Sequence, residues 1–184
     1  MKTKNLLSIV LTAVLLLGLL AACGTPSPAE SQPQSALVRY DHPIGISLSM
    51  AEGFEVTQVE GVLGCYQGTE ANVRFAEELF VSLEALGISA DMTLEEYARL
   101  ILDAYALEGE PLTDSYGNVY IVYDQVVQDQ DVTYYAYFSR NDVAFWTTTF
   151  MCFGQAAPEL EDDFALWAST IELPAGAVTE PYTP

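Results

Sequence analysis

Three runs in the carboxyl-terminal half, residues 118–127, 132–140 and 142–153, constrain the fold of this chain more than any other feature. They are dense in Tyr, Val, Thr, Phe and Trp, the side chains that suit a pleated, half-buried surface. Only Gln128-Asp129-Gln130-Asp131 and Arg140-Asn141-Asp142 separate them. Connections that short leave no room for a crossover, so an antiparallel meander is expected. In the third run Val143, Phe145 and Met151 share one parity, and Trp146, Phe150 and Cys152 the other. Alternate side chains of a strand point to opposite faces, so both faces of this sheet are expected to be covered.

Upstream, Gly45-Ile46-Ser47-Leu48-Ser49-Met50 alternates at strand spacing, and Glu52-Gly53 signals a turn before Phe54-Glu55-Val56-Thr57. Residues 62–66 and 71–75 predict two more short strands. Residues 76–86 fit two patterns. Leu79, Phe80, Leu83 and Leu86 have helical spacing with Gly87 as a stop, while 79–83 also suits a strand; a short helix over 76–86 is preferred. Thr93-Leu94-Glu95-Glu96 is a capping box, followed by Leu94, Tyr97, Ile101 and Ala104 on one helical stripe, and Gly109 and Pro111 are expected to end that helix. Pro158 is expected to open a last helix, with acidic residues in its first turns and Leu160, Phe164, Trp167 and Ile171 on one side. Strands, helices, a meander and a closing helix make an α+β domain with helices packed on an antiparallel sheet.

The ends of the chain have a different composition. Lys2 and Lys4 precede an apolar run over 6–20, which is followed by Leu20-Ala21-Ala22-Cys23. That run is shorter than the roughly 20 residues a spanning helix needs, and the order of charge, apolar run and small residues is that of a signal peptide. A cysteine directly after Leu-Ala-Ala resembles the lipobox of bacterial lipoproteins. The resemblance implies that 1–22 is removed and that Cys23, acylated on its thiol, becomes the first residue and anchors the protein to a membrane. The alternative is an ordinary signal peptide, or an uncleaved anchor, with a chance cysteine. Gly24 is not the Asp that, by the same resemblance, retains lipoproteins on an inner membrane. That fits a Gram-positive surface or an outer membrane, the former preferred. Residues 23–37 are rich in Pro, Ser and Gln and read as a flexible tether. The domain is expected over 38–173, and 174–184, with its prolines, as a loose tail.

Charge narrows the partners. The chain has 6 Lys+Arg against 26 Asp+Glu. Cleavage before Cys23 leaves four arginines and all 26 acids, a formal charge of −22. Such a surface excludes nucleic acid and electrostatic docking on anionic lipid.

The order of pieces within the domain resembles the PsbP/Mog1-like fold, and particularly its small bacterial lipoproteins. The resemblance is carried by Gly45-Ile46-Ser47-Leu48 with Gly53-Phe54, by Thr93-Leu94-Glu95-Glu96-Tyr97, by Tyr134-Tyr135 and Phe145-Trp146, and by the stretch from Phe164 to Ile171. It covers about residues 42–173 and implies an α/β/α sandwich around a central antiparallel sheet. Members are mostly binding or assembly proteins, and no functional residue carries over by motif.

The search for chemistry finds little. His42 is the sole histidine, sits next to Pro43 at the expected edge of the domain, and has no second histidine to work with. Walker, dinucleotide-binding and zinc-protease motifs are absent, and no cofactor is implied. Asp129/Asp131 and Asp162/Asp163 are calcium candidates but lack the spacing of a calcium loop, and a hairpin turn and a helix start explain them. Cys65 and Cys152 are candidates for a disulfide, the alternative being two buried free thiols. Neither has a basic neighbour close in sequence to make it reactive. Tyr134, Tyr135, Tyr137 and Trp146 form either an aromatic ligand platform or core. The expected function is a lipid-anchored, extracytoplasmic and non-enzymatic binding or assembly module with an envelope protein partner. The alternative is a solute- or calcium-binding lipoprotein with an acidic or aromatic cleft.

Overall fold

A computed structural model describes residues 37–178 and residue 182. Residues 1–36, which carry the expected signal peptide, Cys23 and most of the tether, lie outside the described residues. The described residues open with a hairpin, β1 (Val38–Asp41) and β2 (Ser47–Met50). It continues through β3 (Glu55–Thr57), β4 (Gly64–Gln67), β5 (Ala71–Leu79), α1 (Phe80–Ala85), α2 (Leu94–Tyr105) and β6 (Leu112–Thr113). Then come β7 (Val119–Val127), β8 (Gln130–Arg140), β9 (Ala144–Phe153), a single 3-10 turn and α3 (Ala157–Ala168). Seven strands form one antiparallel sheet in the order β3-β4-β5-β9-β8-β7-β6. The expected α+β class and the meander β7-β8-β9 are both present.

Local chemistry explains most of the element ends. Gln128 and Asp129 both have positive φ, 52° and 62°, which gives the two-residue turn whose twist matches the flanking strands β7 and β8. The Asn141 side chain accepts from the Val143 and Ala144 N–H groups, both at 2.9 Å, and so shapes the β8–β9 turn. The capping box of α2 is formed: Thr93 N–H donates to Glu96 Oε2 at 2.8 Å, and Glu96 N–H donates to Thr93 Oγ1 at 3.2 Å. The helix stops at Ala106, which adopts the left-handed conformation, before the expected Gly109. In α3 Leu160, Phe164 and Trp167 are buried as their spacing requires, but Ile171 falls beyond the helix end.

The segment 76–86 departs from the expectation of a helix. All nine residues of β5 pair with β9, from Ala71 opposite Cys152 to Leu79 opposite Ala144. Only Phe80–Ala85 is helical. The pairing of a long central strand outweighs weak local helix preference. The end of that helix follows the sequence, with Gly87 at φ 78° and the Ile88 N–H donating to Leu83 O at 2.9 Å.

The sheet has two different faces. Tyr66, Val73, Phe75, Tyr135, Tyr137, Trp146 and Phe150 face a layer made of α3 and the β1–β2 hairpin, where Ile46, Leu48 and Met50 are fully buried. Val119, Ile121, Ala136, Phe138 and Phe145 face α1 and α2, with Tyr97 stacked on Phe145 at 4.3 Å. The outer layer on the first side is therefore mixed, one helix and a hairpin. The expected loose tail is tied down where it is described. Asn141 Nδ2 donates to Pro174 O at 2.9 Å, Val178 N–H donates to Glu77 Oε1 at 3.0 Å, and Tyr182 N–H donates to Leu63 O at 2.9 Å.

Phe164 lies between Phe150, stacked at 5.1 Å, and Trp167 at 5.5 Å. Replacing it with alanine removes contacts on both sides, so Phe164→Ala is expected to cost about 3–5 kcal/mol of unfolding free energy. Val81 is 68% exposed, and Val81→Ser is expected to change it by less than about 0.5 kcal/mol. Urea denaturation of the two variants checks both values, and equal effects would contradict this packing.

Candidate functional site

The register of the sheet assembles a group of residues that sequence spacing does not reveal. Directly opposed residues on neighbouring strands share a face. Cys65 on β4 lies opposite Arg74 on β5, and Arg74 opposite Thr149 on β9. One rung further along, Asn72, Met151, Tyr134 and Tyr123 follow one another across β5, β9, β8 and β7. These two rows are on the α2 face. The apolar cluster under α2 includes Ala136 and Ile121 from the first row and only the edge residue Tyr123 from the second. Arg74, Asn72, Thr149 and Tyr134 are half-buried, belong to neither core, and retain contact with solvent.

Arg74 is the focus of this patch. Its Nε is enclosed and has no acceptor, and the Oδ1 of Asn72, two residues away on the same face, is enclosed without a donor. The ion pairs found among the described residues both belong to Arg39, which holds Glu172 at 2.8 Å and Asp41 at 3.0 Å on the exposed β1 edge. Arg140 lies over the Phe80 and Phe145 rings and donates to Met92 O at 3.3 Å. Arg74 thus carries a half-buried charge that, among the described residues, forms no ion pair, in a chain with 26 acidic residues. Removing a guanidinium from water without a counter-charge opposes folding. Tyr123 and Tyr134 stack in parallel at 4.9 Å beside it. Burial pushes both phenols up, with Arg74 opposing the shift in each case, so both stay protonated and able to donate at neutral pH.

The two cysteines do not pair. Cys65 is on β4 and Cys152 on β9 with β5 between them, and both are free. They also point away from each other: Cys65 shares the Arg74 face, whereas Cys152 belongs to the core beneath α3. Two strand spacings, about 9.5 Å, exceed the reach of a disulfide. Arg74 is the basic neighbour of Cys65 that sequence proximity failed to show. Burial nevertheless dominates and pushes the Cys65 thiol up to about 11, with Arg74 opposing. Burial, aided by Asp124, raises Cys152 to about 11 as well. Neither is a thiolate nucleophile near neutral pH.

His42, expected at the edge of the domain, is enclosed and only 3% accessible. Its ring meets Tyr66 at 5.0 Å, Phe75 at 5.6 Å and Tyr182 at 5.5 Å, all edge-on. Nδ1 accepts the Ile44 N–H at 3.3 Å, which assigns the proton to Nε2. A Cβ on Gly64 would sit 2.4 Å from His42 Cε1, so glycine is required for the ring to fit. Of the aromatic candidates, Tyr135, Tyr137 and Trp146 are core under α3, and Tyr134 alone joins the open patch. Asp129 and Asp131 lie at the β7–β8 turn and Asp162 and Asp163 on α3, and among the described residues no group of three or more His, Cys, Asp or Glu gathers to hold a metal.

Neither a protein-family profile nor a curated protein sequence matches the chain. Solved structures do. A Bacteroides thetaiotaomicron VPI-5482 protein is 12% identical with a TM-score of 0.48, covering 74% of this chain and 48% of that one. The chain therefore spans about half the length of that protein. Cyanobacterial PsbP (CyanoP) from Synechocystis sp. PCC 6803 is 16% identical with a TM-score of 0.47, covering 80% of this chain and 98% of that one. Both likenesses concern the path of the backbone, and no site residue is taken from either.

Burial lowers the affinity of His42 for a proton below its ordinary value of 6.5, against a smaller opposing effect of the Cys65 backbone. Below that value the unfolded chain takes up a proton that the folded chain refuses, so stability falls as pH drops. Glu77 and Glu78 shift upward through burial and act in the opposite sense, so a comparison isolates the histidine. Between about pH 7.5 and about pH 5 the unmodified protein should lose more stability than His42→Phe. Parallel losses in urea midpoints would show that His42 is not held neutral.

Proposed function

We propose that the chain is a membrane-anchored, extracytoplasmic lipoprotein whose domain works as a non-enzymatic binding or assembly module. One observation carries the anchor: Lys2 and Lys4, the apolar run over 6–20 and Leu20-Ala21-Ala22-Cys23 stand in the order of a lipoprotein signal. Acylation of Cys23 attaches the protein without a spanning segment, and two or more acyl chains make that attachment stable. The stretch 24–36 then reaches on the order of 40 Å when extended. The formal charge of −22 on the mature chain repels anionic lipid, which favours a domain held outward on its tether.

Support for binding rather than turnover comes from the state of the titratable groups. The histidine is enclosed and held neutral, and both domain thiols are protonated, so neither supplies a base or a nucleophile at neutral pH. The second reading, a solute-binding lipoprotein, is favoured by the uncompensated charge of Arg74. An envelope protein fits the first reading and a small ligand the second.

A thiol count tests the anchor. Protein from its native host, unfolded without reductant, should expose two reactive thiols, Cys65 and Cys152, because Cys23 is blocked. A count of three, or an intact amino terminus by mass spectrometry, would reject the anchor. Cys23→Ser should move the protein from the membrane fraction to the soluble fraction.

A further inference from the structure

We infer that the patch centred on Arg74 is a binding site for a small organic oxyanion, a carboxylate or phosphate carried on a ring. It rests on the binding half of the function proposed above and not on the anchor. The first support is the mismatch of charge. Arg74 is half-buried on a central strand, and among the described residues no carboxylate pairs with it. An uncompensated charge on a sheet face is costly, and such costs are retained where they serve a site.

The second support is the set of polar groups left without partners. Arg74 Nε is a donor with no acceptor, and Asn72 Oδ1 is an acceptor with no donor. Both face the same way from neighbouring rungs of β5. Tyr134 on β8 and Tyr123 on β7 continue the row beyond Met151. A guanidinium presents its N–H groups as a planar fork that matches a carboxylate or phosphate. That fork alone offers several donors to one anionic head. The Asn72 carbonyl remains for a ligand O–H or N–H.

The third support is the apolar part of the patch. Tyr123 and Tyr134 lie parallel to within 2° and are half-buried, whereas Met151, between them and Asn72 in the row, is buried. A flat ring on the ligand packs on the accessible part of the two phenol rings. A bare inorganic ion makes the polar contacts and not these. Cys65, opposite Arg74 on β4, is buried, and its protonated thiol adds no negative charge to oppose an anion.

The test uses the full-length chain, purified from membranes in detergent and followed by nitrogen–proton NMR. Benzoate and phenyl phosphate are the probes, with benzamide, acetate and inorganic phosphate as controls, each to about 10 mM. Benzoate or phenyl phosphate should shift the Arg74 Nε–H signal and the Asn72 side chain, and whichever is tighter identifies the oxyanion. Benzamide should shift neither, and acetate and inorganic phosphate should bind more weakly. Arg74→Gln should weaken binding at least about tenfold, and Arg74→Lys should retain part of it. Tyr134→Leu, which keeps the charge, should abolish the preference of benzoate over acetate. If Arg74→Gln does not fold, that second variant decides. No shift at Arg74, an equal response to benzamide, or unchanged affinity in Arg74→Gln would overturn the site. None of these results depends on whether Cys23 is acylated.

Discussion

The long pairing between β5 and β9 is the constraint on which the rest of the domain depends. β3, β4 and β5 follow one another through short turns, as do β7, β8 and β9, so each set can form locally. β5 and β9 are joined across more than sixty residues of intervening chain, and all nine residues of β5 take part. Closing a loop that long costs entropy that only a continuous run of paired backbone and packed side chains recovers. This explains why residues 76–79 are strand despite their helical spacing. A helix there would give up rungs opposite Ala144 to Thr147 at the centre of the sheet.

The same pairing makes the two faces unequal. On one side, β5 and β9 bring Val73, Phe75, Trp146 and Phe150 together, and Phe164 and Trp167 of α3 complete an aromatic interior. On the other side, the short α1 and the twelve-residue α2 cover the rungs around Phe145, Phe138 and Ile121. From the rungs of Arg74 and Asn72, only Ala136, Ile121 and Tyr123 join the apolar cluster under α2. Arg74, Asn72, Thr149 and Tyr134 on the same rungs stay half-buried outside it.

What the sequence showed, and what it hid, follows from the range of the interactions. The capping box of α2, the apolar stripe of α3, the polar hairpin turns and the alternation in β9 depend on neighbours within a few residues, and all were visible. So was the covering of both faces, since Phe145 and Trp146 carry it in opposite parity. Contacts fixed by register were not visible. Arg74 is nine residues from Cys65 and 49 from Tyr123, and only the strand order puts them on one face. His42, placed at an edge by Pro43, is enclosed because Gly64 and Tyr182 come from distant segments to surround it. The tail beyond Leu173 looked loose from its prolines, yet it is fastened by Asn141 and Glu77, and neither could be matched to it by spacing.

The acidity of the chain and the half-buried charge of Arg74 act over different distances. The net charge sets a field that is screened within about 8 Å at physiological ionic strength, so it repels large polyanions whose many charges approach together. A guanidinium acts through hydrogen bonds at contact, where orientation and local dielectric outweigh distant charges. A surface that is strongly negative at long range disfavours contact with polyanions. At the site proposed above, a small molecule with one anionic group would meet the guanidinium at contact range. Selectivity of that kind needs both features, and adding further lysines around Arg74 would raise affinity for every anion while losing the distinction between them.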